Sequence, residues 1–268
     1  MEAFFRPEEL ELSAGFLKDG FVGGEVEDPS ALERVRNTVA ELAAKHLGME
    51  RPKDPDRFLN DFGGAVKFEE LNDLRLDVIN RINAEPWLRP AYFALARSAL
   101  ETVVGNELAM QRTINLSIQL PGDDSSLLPV HADVWQGDSP FEVVLWLPLV
   151  DCFGTKSMFF LPPGPSAEMN KRLKEFKNKS SEDLFQAIEP QLLWLDVPYG
   201  HFLLFSQNLL HGNRVNQENA ARWSMNCRFK SLFSPYAGKK LGEFFEPIIL
   251  RSATRIGMTY RLPEGFDD

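Results

Sequence analysis

The stretch Arg222-Trp-Ser-Met-Asn-Cys-Arg-Phe229 alternates polar and apolar residues without a break. In a β-strand successive side chains point to opposite faces, so Arg222, Ser224, Asn226 and Arg228 share one face and Trp223, Met225, Cys227 and Phe229 the other. The apolar face must pack into a core, and the polar face either meets solvent or lines a cavity. Residues Thr113–Leu120 repeat the pattern, with Asn115, Ser117 and Gln119 opposite Ile114, Leu116, Ile118 and Leu120. Further strands are expected at 128–134, 141–150, 156–161, 191–197 and 201–206, and the first run extends over 222–233. Short strands separated by turns such as Pro121-Gly122-Asp123-Asp124 predict a sandwich or barrel rather than βαβ units.

Outward from this core the periodicity changes. Residues 1–110 read as mainly helical. Asp28-Pro29-Ser30 opens a helix whose apolar positions Leu32, Val35, Val39, Leu42 and Ala43 fall at helical spacing, and Gly48 stops it. Segments 67–83 and 86–104 read as two more helices, and 49–65, with two prolines and two glycines, as a loop. A helical insertion carrying Lys171, Arg172, Lys174, Lys177 and Lys179 interrupts the strands at 165–190. It reads as a solvated helix face or as a lid that attracts an anionic substrate. Residues 234–268 form an unassigned C-terminal extension. The expected organisation is one domain over 1–268, with its core at 111–233.

The chain has 268 residues, 44% hydrophobic and 25% charged, enough to bury a core without staples. A net charge of −10 argues against nucleic acid or an anionic membrane as a partner. No run approaches the ~18 apolar residues of a membrane span, and no signal peptide is evident. The two cysteines, Cys152 and Cys227, lack metal-ligand spacing, and Cys227 reads as a buried thiol. A reduced cytoplasmic setting is expected.

The chemistry concentrates at His131-Ala-Asp133 and at His211, with Arg222 eleven residues beyond it. Two imidazoles and one carboxylate form the facial triad that holds Fe(II) and leaves positions open for O₂ and a co-substrate. On a strand, His131 and Asp133 would point to the same side. Arg222 would bind a distal carboxylate, such as that of 2-oxoglutarate, bidentately. The polar face of 113–119 offers Asn115, Ser117 and Gln119 to complete the 2-oxoglutarate or substrate pocket, with Asn115, Gln119 and Ser224 expected at the co-substrate. Trp135 and Gln136, in the loop after Asp133, and Asn226 and Arg228 are expected to contact substrate. Trp146 reads as core. Of the other histidines, His46 complements a helix dipole and His201 opens a strand; neither is assigned a catalytic role.

His131-Ala-Asp133, GTKSMFFLPPG at 154–164, LLFSQNLLHGN at 203–213 and RWSMNCRF at 222–229 resemble the iron(II)/2-oxoglutarate-dependent dioxygenases. The closest flavour is the phytanoyl-CoA-hydroxylase-like branch and, more narrowly, bacterial oxygenases of carbohydrate gene clusters. The resemblance implies a double-stranded β-helix, or cupin-like jelly roll, with helices outside it. It also implies iron on His131, Asp133 and His211, and the 2-oxoglutarate C5 carboxylate on Arg222. Halogenases of this superfamily lack the acid, so Asp133 implies hydroxylation. The expected enzyme oxidises a small polar molecule, a sugar or sugar nucleotide in the first instance. Desaturation, epimerisation and ring closure remain open. The rival readings are a non-catalytic jelly-roll binding module and a cupin-like enzyme using another metal.

Overall fold

A computed structural model describes residues 4–264. The chain runs α1 (Pro7–Asp19), β1 (Phe21–Glu25), α2 (Pro29–His46), α3 (Pro55–Asn60), α4 (Phe68–Asn83), α5 (Leu88–Ala94) and α6 (Arg97–Val103). The sheets follow as β2 (Leu108–Gln111), β3 (Asn115–Gln119), β4 (Glu142–Pro148) and β5 (Phe159–Phe160). Then come α7 (Pro163–Arg172), α8 (Ser181–Ile188), β6 (Leu193–Trp194), β7 (His201–Ser206), β8 (His211–Gly212), β9 (Arg222–Ser231), β10 (Phe245–Ile249) and α9 (Ser252–Thr259). No described helix is long and apolar enough to cross a membrane.

Seven strands form one sheet in the order β1-β7-β4-β9-β2-β10, with β3 also paired to β9. A smaller sheet is ordered β6-β5-β8. The ladders of both sheets are antiparallel. β9 is the axis of the large sheet, and its alternation sorts as the sequence requires. Trp223, Met225, Cys227 and Phe229 join the core built with α2, α4 and α5, where Leu32, Val39, Leu74, Val78 and Tyr92 are fully or almost fully buried. Phe62 meets Trp223 edge to face at 4.8 Å. Trp223→Ala is expected to cost about 3–5 kcal/mol, the usual penalty for emptying a filled aromatic site, read as a fall in the urea midpoint at unchanged slope. On the opposite face of the large sheet, Val144, Trp146, Leu203 and Phe205 pack towards Phe160 of the small sheet. The Phe160 and Phe205 rings lie 4.9 Å apart.

The helices form for the reasons visible in their sequences. The Asp28 carboxylate caps α2 by accepting from Ala31 N at 3.0 Å, with Pro29 at the first helical position. α2 ends at His46, two residues before Gly48 at φ 69°. α4 matches the expected 67–83.

Several expectations need correction. Segment 86–104 is two helices, because the chain breaks at Leu95–Ala96, where Ala96 leaves the helical region at φ −146°. The 49–65 loop contains α3, capped by Asp54 and started by Pro55, and a 3₁₀ turn at Asp61–Gly64. The mainly helical first part contributes β1 and β2 to the large sheet, and the C-terminal extension contributes β10. Residues 128–134 are not a strand: His131 makes an isolated bridge to His211, and a 3₁₀ turn begins at Asp133. The strands expected at 156–161 and 191–197 shrink to two residues each.

Candidate metal centre

His131 and His211 face each other across that antiparallel bridge. His131 N donates to His211 O at 3.0 Å and His211 N to His131 O at 2.8 Å. Both rings therefore emerge on one side, their centroids 4.3 Å apart. The 3₁₀ turn that follows Ala132 swings the Asp133 carboxylate beside them, Oδ1 lying 3.7 Å from His131 Nε2. One donor atom from each of the three residues lies within 4.8 Å of the others. The second nitrogen of each ring is committed: His131 Nδ1 is 2.7 Å from Pro129 O, and His211 Nδ1 is 2.9 Å from Leu209 O. A carbonyl requires a donor, so Nδ1 carries the proton and each Nε2 lone pair is free to take a metal.

The three ligands shape one another's ionisation. Burial and the charge of His131 push His211 down to about 4, so it is neutral at physiological pH. Burial disfavours the Asp133 anion, but the His131 bond and the charges of His211 and Arg228 outweigh it and hold the carboxyl at about 2. For His131, burial is outweighed by its bonds to Asp133 and the Pro129 carbonyl, and its value is raised. Two imidazoles whose Nδ1 atoms are committed to carbonyls, and an ionised carboxylate beside them, make a donor set fitted to a divalent ion.

Tight backbone packing holds this arrangement. Gly212 runs beneath the chain leading to His131. A Cβ there would lie 2.8 Å from Leu128 O, 2.9 Å from Phe159 Cζ and 3.2 Å from Pro129 O. Asn213 continues the clamp, accepting from Leu128 N at 2.6 Å and donating its own N–H to Leu128 O at 3.1 Å. Gly212→Ala should push the His131 segment off His211 and weaken Ni(II) binding about 10–100-fold, a loss of the size seen when the supports of metal ligands are removed; a fluorescence-monitored metal titration measures it.

A cavity of about 240 Å³ opens over the triad. The register of β3 against β9 pairs Gln119 with Arg222, Ser117 with Ser224 and Asn115 with Asn226, bringing the two polar faces side by side. β4 adds Val144 and Trp146, opposite Arg228 and Asn226. Of the residues expected in the site, His131, Asp133, His211, Arg222, Asn115, Ser224, Gln136, Asn226 and Arg228 line this cavity.

Gln119 and Trp135 do not. Gln119 is fully buried and donates to Arg214 O at 2.5 Å, while Trp135 is 40% exposed and does not line the cavity. Ser117, expected from the same polar face, lines the cavity too, and so do Trp146, Met158 and Phe205, which are not expected there from the sequence. The alternation of 113–119 puts Ser117 on the polar face, but the continuous apolar runs around Trp146 and Phe205 conceal which face turns to the site. No residue of α7 or α8 lines it; the basic residues of that segment are exposed, and Lys171 and Arg172 pair with Glu168 and Glu175 at 2.7 and 2.9 Å.

Arg222 is the second chemical feature. It is 3% exposed, donates to Ser157 O at 3.0 Å and to Ser117 Oγ at 3.2 Å, and has no carboxylate within ion-pair distance among the described residues. Its Nε and the nearby Ser224 Oγ are buried without partners among the described residues. An unpaired buried guanidinium is costly unless a ligand anion completes it. Arg228 sits differently. Its Nη2 lies 3.3 Å from Asp133 Oδ1 and 3.7 Å from Asp138 Oδ2, and Lys239 Nζ reaches Asp138 Oδ1 at 2.5 Å. Gly238 N also donates to Gly137 O at 3.1 Å. The segment before β10 thus ties down the loop that carries Asp133.

No family model matches the chain. Two curated sequences, the cysteine–tRNA ligases of two strains of Treponema pallidum, are each 27% identical over 104 residues, 38% of this chain. The match spans about a fifth (20%) of those proteins' length and transfers no activity. Solved structures match far more of the chain. HygX from Streptomyces hygroscopicus, with nickel and 2-oxoglutarate bound, is 16% identical, covers 88% of this chain and 90% of its own, and has a TM-score of 0.53. EctD from S. alaskensis is 17% identical over 84% and 78% of the two chains, with a TM-score of 0.55. The non-heme monooxygenase ThoJ, as its nickel complex, is 17% identical over 91% and 85%, with a TM-score of 0.50. At these identities the likeness shows a shared fold. It is mostly antiparallel sheet with flanking helices, as the sequence reading expects in outline.

Proposed function

We propose that this protein is an Fe(II)- and 2-oxoglutarate-dependent oxygenase, a single domain built on a double-stranded β-helix. Its reaction is hydroxylation of an unactivated C–H bond in a small polar substrate, with sugars and sugar nucleotides the first class to test and the cytoplasm its setting. One observation carries the reading: a facial His–Asp–His set and a buried guanidinium without a carboxylate partner open into the same cavity.

Bound iron and 2-oxoglutarate would supply the oxidising chemistry from O₂, and the protein supplies placement and a dry site. His131, Asp133 and His211 would hold the metal, and their side chains line the cavity from which exchangeable ligands would reach it. Arg222 binds the far carboxylate of the co-substrate, with Ser117 beside its guanidinium and the unpartnered hydroxyl of Ser224 nearby to donate to the same group. Trp146, Met158 and Phe205 exclude water from the reacting carbon. Asn115, Gln136, Asn226 and Arg228 offer the polar contacts that orient a substrate. HygX, which shares the fold, carries 2-oxoglutarate in its solved structure. A zinc or manganese enzyme of the same fold has no use for Arg222 in this position.

Anaerobic addition of Fe(II) and then 2-oxoglutarate tests the reading. A visible charge-transfer band is expected in the wild type and absent in His131→Ala. Folded, metal-bound protein without a band would leave a binding module or an enzyme of another metal.

A further inference from the structure

A second cavity, about 410 Å³, adjoins the first, and Asn115, Ser117, Leu128 and Asn226 line both. Its walls are α4, which presents Asn72 and Arg75, and the loop carrying Ser125 and Ser126. β3 lies between these walls. Among the described strands β3 pairs only with β9, so on its other edge alternate residues leave backbone N–H and C=O groups unpaired.

The polar groups of this cavity have a definite sense. Asp123 is fully buried and accepts from Ser125 N at 2.8 Å, Ser125 Oγ at 2.6 Å and Ser126 Oγ at 2.5 Å. Both hydroxyl protons are spent on that carboxylate, so towards the cavity the serine oxygens can only accept. On the facing wall, half-buried Arg75 bonds Asn72 Oδ1 at 2.6 Å and has no carboxylate within ion-pair distance among the described residues. A ligand completing this space brings hydroxyl donors to one wall and an anionic group to the other.

We propose that this cavity is the outer half of the substrate site and takes the anionic end of a polyhydroxylated substrate. Its carboxylate or phosphate pairs with Arg75 and its hydroxyls donate to Ser125 and Ser126, while the carbon to be oxidised lies in the inner cavity. The inner half rests on the oxygenase reading; binding in the outer half does not.

Calorimetric titration of the metal-free protein with gluconate, glucose 6-phosphate and glucose tests the outer half alone. At least one of the two anions should bind saturably and about tenfold or more tighter than glucose. Arg75→Gln, checked for folding by circular dichroism, should bring that anion to the glucose level, and Arg75→Lys should restore part of the preference. The tighter anion identifies the group that Arg75 receives. Absence of saturable binding by either anion, or a preference unchanged in Arg75→Gln, would overturn the proposal. The visible band of the wild type reports separately on the oxygenase reading.

Discussion

Asp133→Ala is expected to abolish metal-dependent consumption of 2-oxoglutarate. Asp133 supplies the anionic third of the donor set, held ionised to about pH 2 despite its burial. Its loss leaves two imidazoles and removes the charge that would compensate a divalent cation in a buried site. Metal affinity should fall by more than the ~10–100-fold that loss of an outer-shell partner costs. The variant should still fold, because the His131–His211 bridge is made by backbone groups and Arg228 keeps Asp138 as a partner. Ni(II) titration and succinate release measure the two parts. Retained metal-dependent succinate release would remove Asp133 from the centre, and with it the facial triad.

The second large effect concerns Arg222. Arg222→Met should raise the 2-oxoglutarate dissociation constant by about 2–5 kcal/mol, the cost of removing one partner from a buried charged pair. That is a factor of about 30 to several thousand. Without co-substrate the same variant should lose little stability or gain some, since a buried guanidinium that lacks a carboxylate is replaced by an apolar chain of similar volume. The opposite signs separate a binding role from a structural one. If the fold is strongly destabilised and 2-oxoglutarate affinity is unchanged, Arg222 is a structural residue and the clamp lies elsewhere, with Arg228 the next residue to change.

Much of this arrangement is legible in the chain. The alternation of 222–229 and 113–120 locates the two strands whose polar faces line the cavity, because a half-buried strand must sort its residues by period two. Strand geometry predicts the juxtaposition of His131 and Asp133, whereas the structure achieves it by a bridge and a 3₁₀ turn. The ligand spacing therefore points to the right pair by a different local route.

What escapes the sequence is set by tertiary pairing. Phe21-Val-Gly-Gly-Glu25 has no alternation and two glycines, and it becomes a strand because β7 offers it an edge. Trp146 reads as core because both faces of β4 are apolar; only the packing shows that one face meets the site. Trp135 reads as a substrate contact but does not line the cavity, and Gln119 lies at the far end of its strand, where Arg214 engages it.

The tie from Gly238 and Lys239 to Gly137 and Asp138 has a consequence for the order in which the protein matures. His131 must wait for His211, eighty residues later in synthesis, before its ring has an opposite number. The Asp133 loop then waits for a segment more than a hundred residues downstream to secure it. On the ribosome the helices and the first strands can collapse while the ligand set is still unassembled, so a complete metal site would be among the last features to form.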